Sequence, residues 1–233
     1  MTAPIEAAAP RSASAHRAGI RRALRRALPV LASADVVLRE PVASDARSLA
    51  RHLGAADVQR YLPPGPSTEA EFRRFIRWAV RERKGGRHLT FALVVPAGSR
   101  FADRSAPPGR AVGLFQLWPL DPAFETVELG FALGRAFWGT GLFQEAARLL
   151  VDFAVERLGV GRLEARAAAD NARGNAALRR LGAVPEGVLR RCFTCRAGRL
   201  DHVLWSILAE EWPARRAAAD SRQTHLQVAF ARR

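Results

Sequence analysis

Residues 131–154 read FALGRAFWGTGLFQEAARLLVDFA, and this stretch decides the fold. An apolar strand-like run ends at Leu133, glycines follow at 139 and 141, and a long amphipathic pattern starts at once. Leu142, Phe143, Ala146, Leu149, Leu150, Phe153 and Ala154 recur at helical spacing, so the helix, expected from about Thr140 to Leu158, packs one face on a sheet. Gln144, Glu145, Arg148, Asp152 and Glu156 fall on its water side. Amides in the first turn of such a helix lack partners and attract anions, and glycines without Cβ atoms let a phosphate reach the backbone. Three readings compete: a plain turn, a dinucleotide loop, or a cradle for another phosphate ligand. A Walker loop would need Gly-Lys-Ser/Thr, which is absent, and a dinucleotide fingerprint would need a third glycine where Gln144 stands.

Working outward, the chain alternates strands and helices. VVLREPV (36–42) reads as a strand, followed by a helix from Ser44. Thr68 and Glu71 form a capping box for a helix that buries Phe72, Phe75, Ile76, Ala79 and Val80. Strands are expected at 88–95, 111–120, 126–133 and 162–169, the middle two as an antiparallel pair, with a second helix over 173–181. Ala197-Gly198 marks a hairpin between the last two strands. The result is an α/β (α+β) domain with a mixed sheet over 35–212. It lies between an Arg/Ala-rich extension (1–34) and a basic tail (213–233), both expected to be flexible. The acid-poor start also has the composition of an organelle transit peptide or of a frayed helix docked on the domain.

The 233 residues suit one buried core, and no apolar run nears the roughly 20 residues of a membrane span. Two cysteines make no disulfide framework and fit a reducing, cytoplasmic compartment. The net charge is +15, of which +5 lies in 1–34, +4 in 213–233 and +6 between them. Basic ends can attract nucleic acid. With one lysine against abundant arginine and alanine, however, they read more simply as compositional bias, and no groove-reading motif accompanies them. The middle charge suits a polyanionic small molecule.

VELGFALGRAFWGTGLFQEAARLLVDFAVERLGVGRLEARAAADNARGNAALRRLGAVPEGVLR (127–190) resembles the GNAT acetyltransferase superfamily, most closely the branch that acetylates N-terminal amines of ribosomal proteins. The similarity extends over about 35–212. It implies a GNAT fold: a mixed, mostly antiparallel sheet flanked by helices, with parallel strands splayed to admit acetyl-CoA as co-substrate. It further implies that the loop through Trp138, Gly139, Thr140 and Gly141, continuing into Leu142 and Phe143, cradles the pyrophosphate, with Ala136 at the loop's usual Gln/Arg position. Phe131, Ala132 and Leu133 would pair with the pantetheine arm, and Asn171 would hydrogen-bond it. Asn175, and less directly Arg179, fall near the arm and phosphates. Glu128, where the family places an acidic residue, is the candidate general base, with Glu125 and Glu186 in reserve.

The match has gaps. Where members of the superfamily carry a Tyr to protonate the thiolate this chain has Leu178, and where the ribosomal branch has Ser it has Gly174. Tyr61, the sole tyrosine, lies on the acceptor side. Cys192 and Cys195 point to opposite strand faces, and His52, His88 and His202 show no metal spacing, so no metal is expected. Trp205 and Trp212 read as packing residues. Segments 59–72 and 190–202 would line the acceptor site, without the acids of a polyamine pocket, leaving a protein N-terminus or a small amine. Three functions follow. The first is acetyl transfer to a primary amine by a monomer or homodimer; the second is CoA binding without turnover. The third is nucleic-acid association through the tails.

Overall fold

A computed structural model describes residues 11–102, 108–195 and 198–217. Its elements are α1 (Arg11–Arg26), β1 (Leu31–Ala32), β2 (Val37–Arg39), α2 (Ala46–Leu53), α3 (Ala56–Gln59), α4 (Glu69–Gly85), β3 (Leu89–Val94), β4 (Ala111–Pro119), β5 (Thr126–Leu133), α5 (Leu142–Asp152), β6 (Arg162–Ala168), α6 (Ala172–Leu181), β7 (Val184–Cys195) and β8 (Gly198–Leu208). They build one sheet in the order β1-β2-β3-β4-β5-β6-β8-β7, antiparallel at every step except β5–β6. This is the mixed, mostly antiparallel sheet expected of the fold.

Local signals account for most boundaries. Thr68 Oγ1 accepts from the Glu71 amide at 3.3 Å while Glu71 accepts from the Thr68 amide at 3.0 Å, so the capping box forms as expected. The Ser67 and Thr68 amides, with the Ser67 and Thr68 hydroxyls, hold the Glu71 carboxyl pKa at about 2. Gly86, at φ 73°, ends α4. The helix from residue 142 continues past Asp152 as a π-turn, Phe153–Leu158, to Gly159 at φ 70°. The first strand is shorter than expected, since Pro41 closes it and a 3-10 turn, Ala43–Asp45, precedes α2. Buried Asp45 fixes that turn by pairing with Arg39 at 2.7 Å and accepting from the Val42 amide at 2.8 Å.

Over its described residues, 11–34, the N-terminal extension packs on the domain, as its docked-helix alternative has it. Leu24 and Leu28 are buried in the main core, and β1 adds a strand to the sheet. Arg83, 4% exposed, pairs with Glu40 at 2.6 Å and donates to the carbonyls of Leu24 (3.1 Å) and Arg25 (2.5 Å), tying α1 to α4. Arg17 pairs with Glu125, and Arg21 donates to the Ala123 carbonyl. Part of the basic charge of the N-terminal stretch is therefore used inside the domain. At the other end the chain is helical over 212–217, with Trp212 buried and donating to Asp152 at 2.8 Å, while Arg216 pairs with the same carboxylate. Residues 1–10 and 218–233, and with them half of the C-terminal tail's net charge of +4, lie outside the described residues.

Glu145 and Asp152, placed on the water side of α5 by their spacing, are instead bonded. Glu145 accepts from Ser33 and Arg100, and Asp152 from Trp212. Cys192 is exposed and Cys195 buried, despite a bulge between Leu189 and Phe193.

Candidate active site

The site is made where the sheet parts. β5 and β6 pair only from Thr126↔Arg162 to Glu128↔Glu164. Beyond that point they diverge, and Leu129–Leu133 on one side and Arg166–Ala168 on the other line a cleft of about 770 Å³. Strand edges that face a gap offer backbone donors and acceptors to an extended ligand.

At one end of the cleft the chain turns from β5 into α5. Trp138 Nε1 donates to the Leu133 carbonyl at 2.8 Å, and Thr140 Oγ1 to that of Phe137 at 2.9 Å, which fixes the loop. Gly139 and Gly141 have φ of 76° and 95°, in the left-handed region. A Cβ on Gly139 would meet nothing within 4 Å, and one on Gly141 only Phe101 at 3.8 Å. The space above both is open to the cleft, and among the described residues nothing bonds the amides of Gly139, Thr140 and Gly141. Arg148, Arg173 and Arg180 line the same cleft, and the Arg173 guanidinium stacks 3.4 Å from the centroid of Trp138. Among the described residues neither Arg173 nor Arg180 has a carboxylate partner. Bare amides, a helix start and guanidinium groups fit the phosphates of a polyanion such as CoA.

Of the residues chosen from sequence, Phe131, Ala132, Leu133, Trp138, Gly139, Thr140, Gly141, Phe143 and Asn171 all line this cleft. Phe131 packs at a tilt against Phe143, ring centroids 4.6 Å apart, and both line the cleft. Asn171 caps α6, its Oδ1 accepting from the Gly174 amide at 3.0 Å. Two residues stand apart. The Leu142 side chain is fully buried in the core. Asn175 donates to the carbonyls of Ala168 (2.8 Å) and Asn171 (2.9 Å) and accepts from Trp205 Nε1 at 2.9 Å, so its amide secures the β6–α6 corner. Arg179 stacks on Trp205, leaving Arg173 and Arg180 facing the cleft; their seven-residue spacing on one helix face was the available signal.

Glu128 is 8% exposed and lies behind Arg166, which lines the cleft and donates to it at 2.5 Å. Burial raises the Glu128 pKa, and the opposing effects come from Arg166 and a hydrogen bond from Trp118. Of the reserves, Glu186 accepts from Arg162 (2.5 Å) and Ser206 (2.6 Å), which hold its carboxyl at about 2 and make it a weak base. Glu125 is exposed and pairs with Arg17.

Arg166 was missed, whereas Tyr61 and His202 belong to the segments 59–72 and 190–202 expected on the acceptor side, and all three line the cleft. Arg166 follows Glu164 by one strand repeat. Tyr61 reaches across from the turn after α3, its hydroxyl 3.4 Å from Asp170 Oδ2. His202 on β8 lines the cleft although only 3% exposed. No cluster of three His, Cys, Asp or Glu that could hold a metal occurs among the described residues, and no helix there is long and apolar enough to cross a membrane.

Comparison with known proteins gives this geometry a family. Residues 35–184 match the acetyltransferase (GNAT) domain. The chain belongs to that family. The Bacillus subtilis "Putative ribosomal N-acetyltransferase YdaF" is 31% identical over 104 residues, 45% of this chain and 57% of that relative's length. A T. thermophilus structure described as a "putative acetyltransferase" superposes with TM-score 0.69 at 28% identity, covering 84% of this chain and 98% of its own. Mycobacterium smegmatis RimJ, solved with CoA-disulfide, shares the fold at TM-score 0.68 and 23% identity, over 79% of this chain and 89% of RimJ. The GNAT chain described above thus has the sheet, the parting strands and the glycine loop of an acetyltransferase.

Proposed function

We propose that this GNAT protein moves the acetyl group of acetyl-CoA directly onto a primary amine, with the N-terminus of a peptide or protein as the favoured acceptor and a small amine as the alternative. The observation that carries this reading is the continuity of one cleft from the phosphate-ready loop at 138–141 to the parted strands. An extended cofactor laid along it would present its acetyl group between β5 and β6. The names of ribosomal acetyltransferases among the relatives support a protein acceptor. Neither cysteine lines the cleft, which favours direct transfer over an acylated enzyme. A cytoplasmic location belongs to the same reading.

Attack requires a neutral amine. Arg166, a cation in the cleft, disfavours an ammonium beside it and so promotes loss of the first proton. Glu128 is the base assigned to that proton. Its pKa is raised above the usual carboxylate range, and its position behind Arg166 calls for a bridging water. A loop amide on the β5 edge would polarise the acetyl carbonyl.

A second reading is a domain that binds CoA without turnover. It draws on Leu178, which is fully buried, and Gly174, which has no side chain: neither can act as the usual acid. The test is release of free CoA thiol from acetyl-CoA in the presence of short peptides with free or blocked N-termini, or of small amines. Release with free N-termini alone supports the first reading. Tight CoA binding with no release for any amine supports the second.

A further inference from the structure

We propose that His202 carries a proton from the acceptor nitrogen to the departing CoA sulfur, an inference that rests on the acetyl-transfer reading above. His202 is paired with Ala168 across β6 and β8. Directly opposed residues of an antiparallel pair share a sheet face. Strand alternation therefore sets its ring on the face that carries Arg166 and Glu164. The ring lines the cleft, the residue is only 3% exposed, and neither nitrogen has a hydrogen-bond partner among the described residues. Phe193 from β7 stacks on it, centroids 4.4 Å apart, and holds its plane. Two orphan nitrogens on one buried side chain are costly unless a ligand bonds them.

The charged and titratable groups around it are Arg166 from β6 and Asp170 from the loop after β6, with the Tyr61 hydroxyl reaching Asp170 from across the cleft. Burial first, then Arg166, lowers the imidazole pKa, and Asp170 opposes them. The resting ring is therefore neutral, able to accept a proton and, once charged, a ready donor.

One proton has to pass from nitrogen to sulfur, and His202 is placed to carry it. An ammonium acceptor loses one proton before attack, the step given to Glu128. When the nitrogen bonds to the acetyl carbon it carries a second excess proton. His202 takes that proton; the C–S bond then breaks with its electron pair going to sulfur, and the imidazolium protonates the thiolate. The products are an amide and CoA thiol, and the ring ends neutral. This relay supplies what Gly174 and Leu178 cannot.

The test uses the full chain uniformly labelled with 15N, so that histidine ring nitrogens and glycine amides are both read, titrated with CoA and, separately, with desulfo-CoA, which lacks the sulfur alone. The His202 signals are assigned by their absence from His202→Gln. The proposal expects both ligands to move the Gly139 and Gly141 amides, but only CoA to move the His202 ring nitrogens strongly. It also expects His202→Gln to bind acetyl-CoA within twofold of wild type and to turn over about 10²-fold more slowly. Identical ring shifts with both ligands, or wild-type turnover in His202→Gln, overturn it. If CoA moves neither glycine amide, the cofactor site itself is wrong and the relay falls with it.

Discussion

Gly141→Val separates the phosphate cradle from mere loop structure. Gly141 sits at φ 95°, ψ −10°, a region closed to β-branched residues, so valine there costs about 1–3 kcal/mol of backbone strain. No clash adds to this, because the nearest atom to a Cβ is Phe101 Cε1 at 3.8 Å. At about 2–4 °C per kcal/mol for a chain of this size, the apo protein should melt about 2–12 °C lower and remain folded. Acetyl-CoA at about 100 times its dissociation constant stabilises by about 2.7 kcal/mol, or about 5–11 °C, in the wild type. In Gly141→Val that ligand shift should vanish, since the isopropyl group fills the space above the loop. Gly109→Val is the control: Gly109 also has a left-handed φ, 78°, and open space at its Cβ, but lies outside the cleft. It should show the strain and keep the full ligand shift. A Gly141→Val protein with the wild-type acetyl-CoA shift in a thermal melt would refute the assignment of the loop.

Three further outcomes follow from the same structure. Glu128→Gln should bind acetyl-CoA as the wild type does, measured by calorimetry, while turnover at neutral pH falls about 10²-fold; unchanged turnover across the pH range removes Glu128 as the base. Leu24→Ala should lose about 2–5 kcal/mol in urea unfolding, because Leu24 is a buried core residue. A loss near zero would mean that α1 does not belong to the folded unit. Glu71 and Glu186 are held at about 2, below the ordinary glutamate value of 4.5, so their stabilisation is present above 4.5 and fades as pH falls toward 2. The double Gln variant should therefore show a shallower stability loss between pH 4.5 and 2 in urea melts, and an unchanged slope would contradict those pairings.

What the sequence made legible is what local chemistry determines. The capping box at Thr68 and Glu71, the strand–glycine–helix unit at 131–154 and the hairpin strands are written in neighbouring residues. Nine of the eleven residues assigned to the cofactor reach the cleft for the same reason: they sit on one loop, one strand end and one helix start. The rest depends on partners far along the chain. Leu24 and Leu28 turn inward from an arginine-rich stretch, and the buried Arg83 that anchors them lies 59 residues from Leu24. Arg166 and His202 reach the cleft only through the β6–β8 register, and a slip of one residue would have turned both away. Asn175 shows the converse: a polar residue near the cofactor path whose amide donates to Ala168 and Asn171 and accepts from Trp205 within the fold.

The most direct test is a single turnover with acetyl-CoA labelled in its acetyl group, a peptide with a free N-terminus, and the intact protein, read by mass spectrometry of both protein and peptide. Label on the peptide's terminal nitrogen, none on the protein, and one CoA thiol released per acetyl moved is the result expected. Label retained on the protein, or consumption of acetyl-CoA without any acylated amine, would contradict direct transfer to an acceptor in this cleft.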